Sequence, residues 1–261
     1  LDGDADRLVY YFLSPKDNSF QLLDGDRIAT LTASFLAELS RQAGLSDKLT
    51  VGVVQTAYAN GASTHYITDS LKLPIICTPT GVKHLHHAAT RFDIGVYFEA
   101  NGHGTVLFSP KAVKQLTYAY EPQTPAQATA LNTLRALLDL INQAVGDALS
   151  DLLLVEVILA HKGWSMTEWL RTYVDLPNRL VRVEVRDRGI FKTVDAERKL
   201  EEPKGIQAQV DELVNKYKDG RSFARASGTE DAVRVYAEAA TRGEADQLAT
   251  RVADLVKRFG A

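Results

Sequence analysis

Phe92-Asp93-Ile94-Gly95-Val96-Tyr97-Phe98-Glu99-Ala100-Asn101-Gly102-His103-Gly104 is an apolar run that ends in a polar, glycine-rich turn. It reads as a buried strand from Phe92 to Ala100, after which Thr105 to Ser109 returns antiparallel. Upstream, Ile28, Leu31, Phe35 and Leu39 recur at spacings of three and four between Arg27 and Ala43, the period of an amphipathic helix. Leu49 to Thr56 and Leu73 to Thr78 read as strands, Gly61 to Lys72 and His84 to Thr90 as helices. Helices alternating with short apolar strands imply βαβ units, hence an α/β fold with a mixed, mostly parallel sheet and flanking helices.

Downstream, a surface connection carrying Pro122 and Pro125 leads into a helical stretch from Pro125 to Lys162 with a break near Gly146. Past Leu176-Pro177-Asn178 the pattern changes. Val181, Val183 and Val185 alternate with Arg182, Glu184 and Arg186, the period of a half-exposed strand. A helix at Val210 to Tyr217, strands at Arg221 to Ala226 and Val233 to Ala239, and a helix at Glu244 to Phe259 complete a smaller α+β domain of order βαββα.

The chain has 261 residues, 45% hydrophobic and 24% charged, with a net charge of -3 and its charges interspersed. No basic stripe of the nucleic-acid-binding kind occurs, and no apolar run long enough to cross a membrane. The single cysteine, Cys77, lies in an apolar run and reads as a buried structural thiol, which suits a reducing cytoplasm.

Three motifs carry chemistry. Asp2, Asp4 and Asp6 alternate in Asp2-Gly3-Asp4-Ala5-Asp6-Arg7, so their carboxylates converge on one side and call for a hard divalent cation such as Mg²⁺. An EF-hand loop would need Gly and Glu where Arg7 and Leu13 stand. A metal-dependent phosphatase with Asp2 as nucleophile stays open. Asp24-Gly25-Asp26-Arg27, by contrast, reads as a helix cap.

In the second motif, Glu99 and Asn101 can face one ligand rich in hydroxyls, and His103 can exchange a proton near neutral pH. In the third, Arg225-Ala226-Ser227-Gly228-Thr229 offers backbone N–H groups and hydroxyls in a short turn, and Arg225 and Arg234 can grip the same anion, a phosphate above all. His84, His86 and His87 read as a solvated helix face rather than a metal site. Lys83, just past a strand end, is placed to meet a ligand. Trp164 and Trp169 read as core or domain-contact residues.

Taken together these motifs resemble those of the α-D-phosphohexomutases, in their phosphoacetylglucosamine mutase branch. The aspartate run looks like that family's metal loop, Glu99 to Gly104 like its sugar loop, and Arg225 to Ala239 like its phosphate loop. Thr80 to His84 and Asp175 to Arg179 extend the match over essentially the whole chain.

The resemblance implies Mg²⁺ held by Asp2, Asp4 and Asp6, with Arg7 orienting the transferred phosphate and His103 moving a proton. It implies substrate contacts from Lys83, His84, Glu99, Asn101, Arg225, Ser227, Gly228, Thr229 and Arg234. The implied reaction interconverts N-acetylglucosamine 6-phosphate and 1-phosphate, through a phosphoserine enzyme and a bisphosphorylated sugar, on the route to UDP-N-acetylglucosamine.

In a four-domain family, residues 1–27 would be the tail of the second domain, 28–175 the third and 176–261 the fourth. The phosphoserine loop would then belong to a missing N-terminal half. The chain is accordingly expected to be a fragment, inactive alone, with a loosely held metal loop. A non-catalytic module binding sugar phosphates, or a mutase acting on glucose or mannose phosphate, are the competing expectations.

Overall fold

In the computed structural model, which describes residues 1–260, the chain opens with a hairpin that the sequence did not suggest. Strand β1 (Tyr10–Leu13) pairs antiparallel with β2 (Phe20–Leu23), and Tyr11 stacks on Phe20 at 5.6 Å. Helix α1 (Gly25–Gln42) follows at once, because the Asp24 side chain accepts the N–H groups of Asp26 and Arg27 as its N-cap. The cap expected from sequence is therefore the one found.

Next come β3 (Val51–Thr56), α2 (Gly61–His65), β4 (Ile75–Thr78), α3 (Val82–Ala89), β5 (Ile94–Phe98) and β6 (Gly104–Phe108). The strands form one mixed sheet in the order β4-β3-β5-β6, with β3 parallel to β5 and β5 antiparallel to β6. Alternation decides which side chains go where. Val53, Val96, Phe98 and Val106 join the core built around α1, whereas Val54, Tyr97 and Leu107 meet Leu85 and Ala89 of α3 on the other side.

Helix α4 (Pro110–Lys114) leads through a π-helical turn to α5 (Pro125–Leu140), α6 (Ala148–Lys162) and α7 (Met166–Leu170). The break expected near Gly146 lies between α5 and α6. Trp169 is fully buried and donates to the Arg27 carbonyl, so it is a core residue. Gly61 to Lys72 is not one continuous helix, since α2 gives way to a π-helical turn at Tyr66–Ser70. Cys77 is half-buried, less enclosed than expected.

The chain divides into two compact units, the first Leu1–Ala59, Ser63–Cys77 and Gly81–Val174, the second Asn60–Ala62, Thr78–Thr80 and the residues from Asp175 onward. The second unit holds β7 (Asn178–Glu184), β8 (Lys192–Val194), β9 (Lys199–Glu202), α8 (Ile206–Val214), β10 (Arg221–Ala226), β11 (Ala232–Glu238) and α9 (Arg242–Gly260). The βαββα reading is thus corrected by an additional hairpin, β8–β9, between the first strand and the first helix.

The main sheet of this unit is antiparallel, in the order β10-β11-β7, and Val183, Val233 and Val235 pack with Leu248, Val252 and Val256 of α9. Among the described residues, no helix is long and apolar enough to cross a membrane.

Candidate functional site

In the first unit the three aspartates come together. One carboxylate oxygen from each of Asp2, Asp4 and Asp6 lies within 4.8 Å of the others, the single such group of potential metal ligands among the described residues. The loop closes on itself, since Asp2 Oδ1 accepts the N–H groups of Asp6 and Arg7, each at 3.2 Å. Desolvation opposes charge on Asp2, yet the hydrogen bonds from Arg7 and Asp6 and the nearby Arg7 charge hold its pKa below the ordinary value.

Neighbours also fix this loop in place. The Ala5 carbonyl accepts the Ala148 N–H at 2.9 Å, and the Leu8 N–H donates to the Gly102 carbonyl at 3.1 Å. A loosely held loop was expected, but the structure ties it from two sides. The donor set fits a hard divalent cation on chemistry as well as distance. Asp6 Oδ1 is buried with no hydrogen-bond partner and has the Arg7 guanidinium near it, Nε at 3.5 Å, so it keeps a lone pair that a cation could take.

The Glu99–Gly104 motif stands directly beside the aspartates. His103 Nδ1 is 3.0 Å from Asp6 Oδ2, and Arg7 and His103 form an isolated antiparallel bridge. This approach needs glycine at two places. Gly102 has φ +88°, and a Cβ there would fall 1.9 Å from the Leu8 carbonyl oxygen; a Cβ on Gly146 would fall 2.6 Å from His103 Nε2.

The Glu99 carboxylate accepts the Gly81 N–H at 3.2 Å, and Asn101 Oδ1 accepts the N–H of His103 at 3.0 Å. Glu99 is therefore held by the turn before α3 and Asn101 by its own loop. Lys83 joins Asp6 and His103 in lining an open cleft of about 610 Å³, whereas His84 is exposed and outside it.

The cleft also holds residues that the sequence did not single out as functional. His86 Nδ1 lies 3.0 Å from the Tyr97 hydroxyl, and His87, Val145 and Gly146 complete much of the wall. Burial, and secondarily Asp151, push the Tyr97 hydroxyl up to about 12, so it stays protonated. Three histidines close together on a short helix, at 84, 86 and 87, gave no signal to separate the two that line this wall from the one on the solvated face.

In the second unit, the register places Arg225 of β10 opposite Arg234 of β11, and Arg234 opposite Arg182 of β7. Residues directly opposite share a face, and like charges there are destabilising unless something negative joins them. Arg182, read from sequence only as the polar side of a strand, therefore extends the expected pair into a row.

Glu230 serves two members of that row. It accepts Arg182 Nε and Nη2 at 3.0 and 2.8 Å and Arg234 Nη2 at 2.5 Å, and these bonds, with that from Arg182 foremost, lower its pKa. Between the strands, the Ser227 N–H donates to the Ala232 carbonyl at 2.8 Å and the Thr229 N–H to Ser227 Oγ at 3.4 Å, while Gly228 borders open space.

The architecture and these loops agree with two family models. "Phosphoacetylglucosamine mutase AMG1, domain III" matches residues 24–164, and "Phosphoglucomutase/phosphomannomutase, C-terminal domain" matches residues 180–255. The class so defined is that of the α-D-phosphohexomutases. Within it, with the first model alone matching more than half of its residues, the chain belongs to the phosphoacetylglucosamine mutase family.

Phosphoacetylglucosamine mutase of Candida albicans is 56% identical over 258 residues, covering 98% of this chain and 47% of that protein. The human protein of the same name is 53% identical over 252 residues, covering 97% and 46%. A crystal structure of Aspergillus fumigatus N-acetylphosphoglucosamine mutase in complex with GlcNAc-6P and magnesium superposes with a TM-score of 0.96 at 69% identity, over 98% of this chain and 51% of that one. The chain thus spans about half the length of the relatives it matches.

Proposed function

We propose that these residues supply the metal-binding, sugar-binding and distal phosphate-binding parts of a phosphoacetylglucosamine mutase. The complete enzyme interconverts N-acetylglucosamine 6-phosphate and 1-phosphate, with a phosphoserine from outside these residues as the phosphoryl donor and a bisphosphorylated sugar as intermediate. In this reading residues 1–27 end one domain, 28–175 form the sugar-binding domain and 176–261 the phosphate-binding domain. The reading makes the enzyme cytoplasmic and places it on the route to UDP-N-acetylglucosamine.

The observation that carries the reading is the contact between His103 and Asp6. A carboxylate only accepts hydrogen bonds, so Nδ1 keeps its hydrogen on Asp6 and Nε2 is the nitrogen left to take or give a proton. Asp2, Asp4 and Asp6 would hold Mg²⁺, which when bound supplies positive charge to the transferring phosphoryl group. Arg7 orients that group, while Glu99, Asn101 and Lys83 meet the sugar phosphate; His84, exposed and outside the cleft, is left out of that set. Arg225, Ser227, Gly228, Thr229 and Arg234 hold the phosphate that does not react.

The test has two arms. The 261-residue chain, titrated with N-acetylglucosamine 6-phosphate in Mg²⁺, should bind it, and Arg234→Ala should weaken binding at least tenfold, as loss of a charged hydrogen bond does. The chain alone should give background mutase activity. A family-length enzyme carrying these residues should turn over and lose roughly 10²- to 10⁴-fold with His103→Ala. Release of inorganic phosphate that disappears in Asp2→Asn would replace the mutase reading with a phosphatase.

A further inference from the structure

The β8–β9 hairpin takes no part in the metal, sugar or phosphate loops, yet its tip has an unusual backbone. Asp195, Ala196 and Glu197 follow one another at φ 54°, 54° and 67°. Residues with a Cβ enter this left-handed region singly and at a cost, because Cβ crowds the neighbouring carbonyl. A run of three without glycine persists only where its surroundings hold it, and such strain collects at functional positions. Arg198 does the holding, donating to the Asp195 carbonyl from its backbone N–H at 3.1 Å and from Nε at 3.0 Å.

The effect is to aim one carboxylate at three donors. Glu197 Oε2 accepts the Thr80 N–H at 2.9 Å and the Thr80 hydroxyl at 2.6 Å, and Oε1 accepts Arg225 Nη1 at 3.1 Å. An amide N–H, a hydroxyl and a guanidinium are the kinds of donor that a phosphate takes. The Arg225 and Glu197 side chains are only 19% and 18% exposed, so solvent screens their attraction poorly.

We propose that Glu197 is a resident competitor for Arg225, a positioning residue that holds the guanidinium in the loop and sets the loop's affinity for a phosphate group by opposing it. The proposal rests on the reading of Arg225 to Arg234 as a phosphate loop. The two bonds from Thr80 keep the carboxylate in place when Arg225 turns toward an anion. Its negative charge then continues to act against that anion, lowering affinity and favouring release.

Calorimetric titration with inorganic phosphate tests this on the 261-residue chain and on Glu197→Gln, Glu197→Ala and Arg234→Ala. Both Glu197 variants should bind phosphate roughly five- to tenfold tighter, a coupling of ordinary size, and Arg234→Ala should bind it more weakly. Damage to the fold cannot imitate this result, because a disrupted loop binds less. Equal or weaker binding in both Glu197 variants, with Arg234→Ala still weakening it, would overturn the competitor role and leave the loop reading in place. If no chain binds phosphate, or Arg234→Ala changes nothing, the loop reading fails and the competitor role fails with it.

Discussion

Asp151, in the first turn of α6, is a carboxylic acid enclosed by the protein. It is 1% exposed and its Oδ2 has no hydrogen-bond partner. Burial, and then the charge of Asp147 one turn away, push its pKa from 3.8 up to about 8. Between those two values the folded chain holds a proton that the unfolded chain has released, so stability falls as pH rises from about 4 to 8 and levels off above. Asp151→Asn removes the ionisation. Its melting temperature should match the parent's near pH 4 and exceed it by at least about 3–6 °C at pH 8.5, because a rise from 3.8 to about 8 corresponds to several kcal/mol and each kcal/mol moves a chain of this size by roughly 2–4 °C. Parallel pH curves for the two proteins would show that Asp151 does not titrate in this way. Nothing in Asp147-Ala148-Leu149-Ser150-Asp151 announces the behaviour, since one aspartate caps the helix and the other is buried only by packing. The grouping of Asp2, Asp4 and Asp6 was legible for the opposite reason, because alternate spacing brings their carboxylates together.

Elements were readable where local signals and packing agreed. Helix α1 combines a capping Asp24 with Ile28, Leu31, Phe35 and Leu39 on one face, all at most 3% exposed. Strand β5 announces itself by an apolar run with a glycine-rich stop. The β8–β9 hairpin was invisible because its strands are short and charged and its turn uses Asp195, Ala196 and Glu197 where glycine or asparagine would be the signal. The β1–β2 hairpin does carry an asparagine, Asn18 at φ 56°, but inside a six-residue connection between two four-residue strands, too long a turn and too short a pair to read as a hairpin. Even a legible element carried more than its pattern revealed. Arg27, in the first turn of α1, is 1% exposed and donates to the carbonyls of Leu170 and Tyr173 at 3.0 and 3.1 Å, with its guanidinium 3.7 Å above the Tyr173 ring. It therefore clamps the chain that leaves α7. Arg27→Ala should cost about 3 kcal/mol in urea unfolding, and Arg27→Lys should recover little, because an ammonium cannot reach two carbonyls as a planar fork does. A loss below about 1 kcal/mol in Arg27→Ala would reduce the clamp to an ordinary surface contact.

At the scale of the molecule, the alternating valines after Leu176 gave no sign that the compact unit holding them recruits residues from earlier in the chain. Asn60–Ala62 and Thr78–Thr80 belong to it. Glu238, 1% exposed, accepts the Gly61 N–H at 3.2 and 3.1 Å as well as Arg221 and Tyr236, and Glu197 accepts Thr80. Such contacts are distant in sequence and leave no local pattern. Residues 175–261 nevertheless own a continuous core of Val183, Phe191, Leu200, Ile206, Val210, Val233, Val235, Leu248 and Val252, and a domain of that length is large enough to fold alone. Burial of side chains of this kind stabilises by roughly 1.5–3 kcal/mol each, against which the loss of a few amide donors is small. The isolated segment 175–261 is thus expected to unfold cooperatively in urea, at a midpoint below that of the same unit in the intact chain. Glu238→Gln should bring the two midpoints closer, because much of the difference arises from a buried carboxylate left short of donors. A segment without a cooperative transition would mean that the borrowed residues are part of the minimal fold.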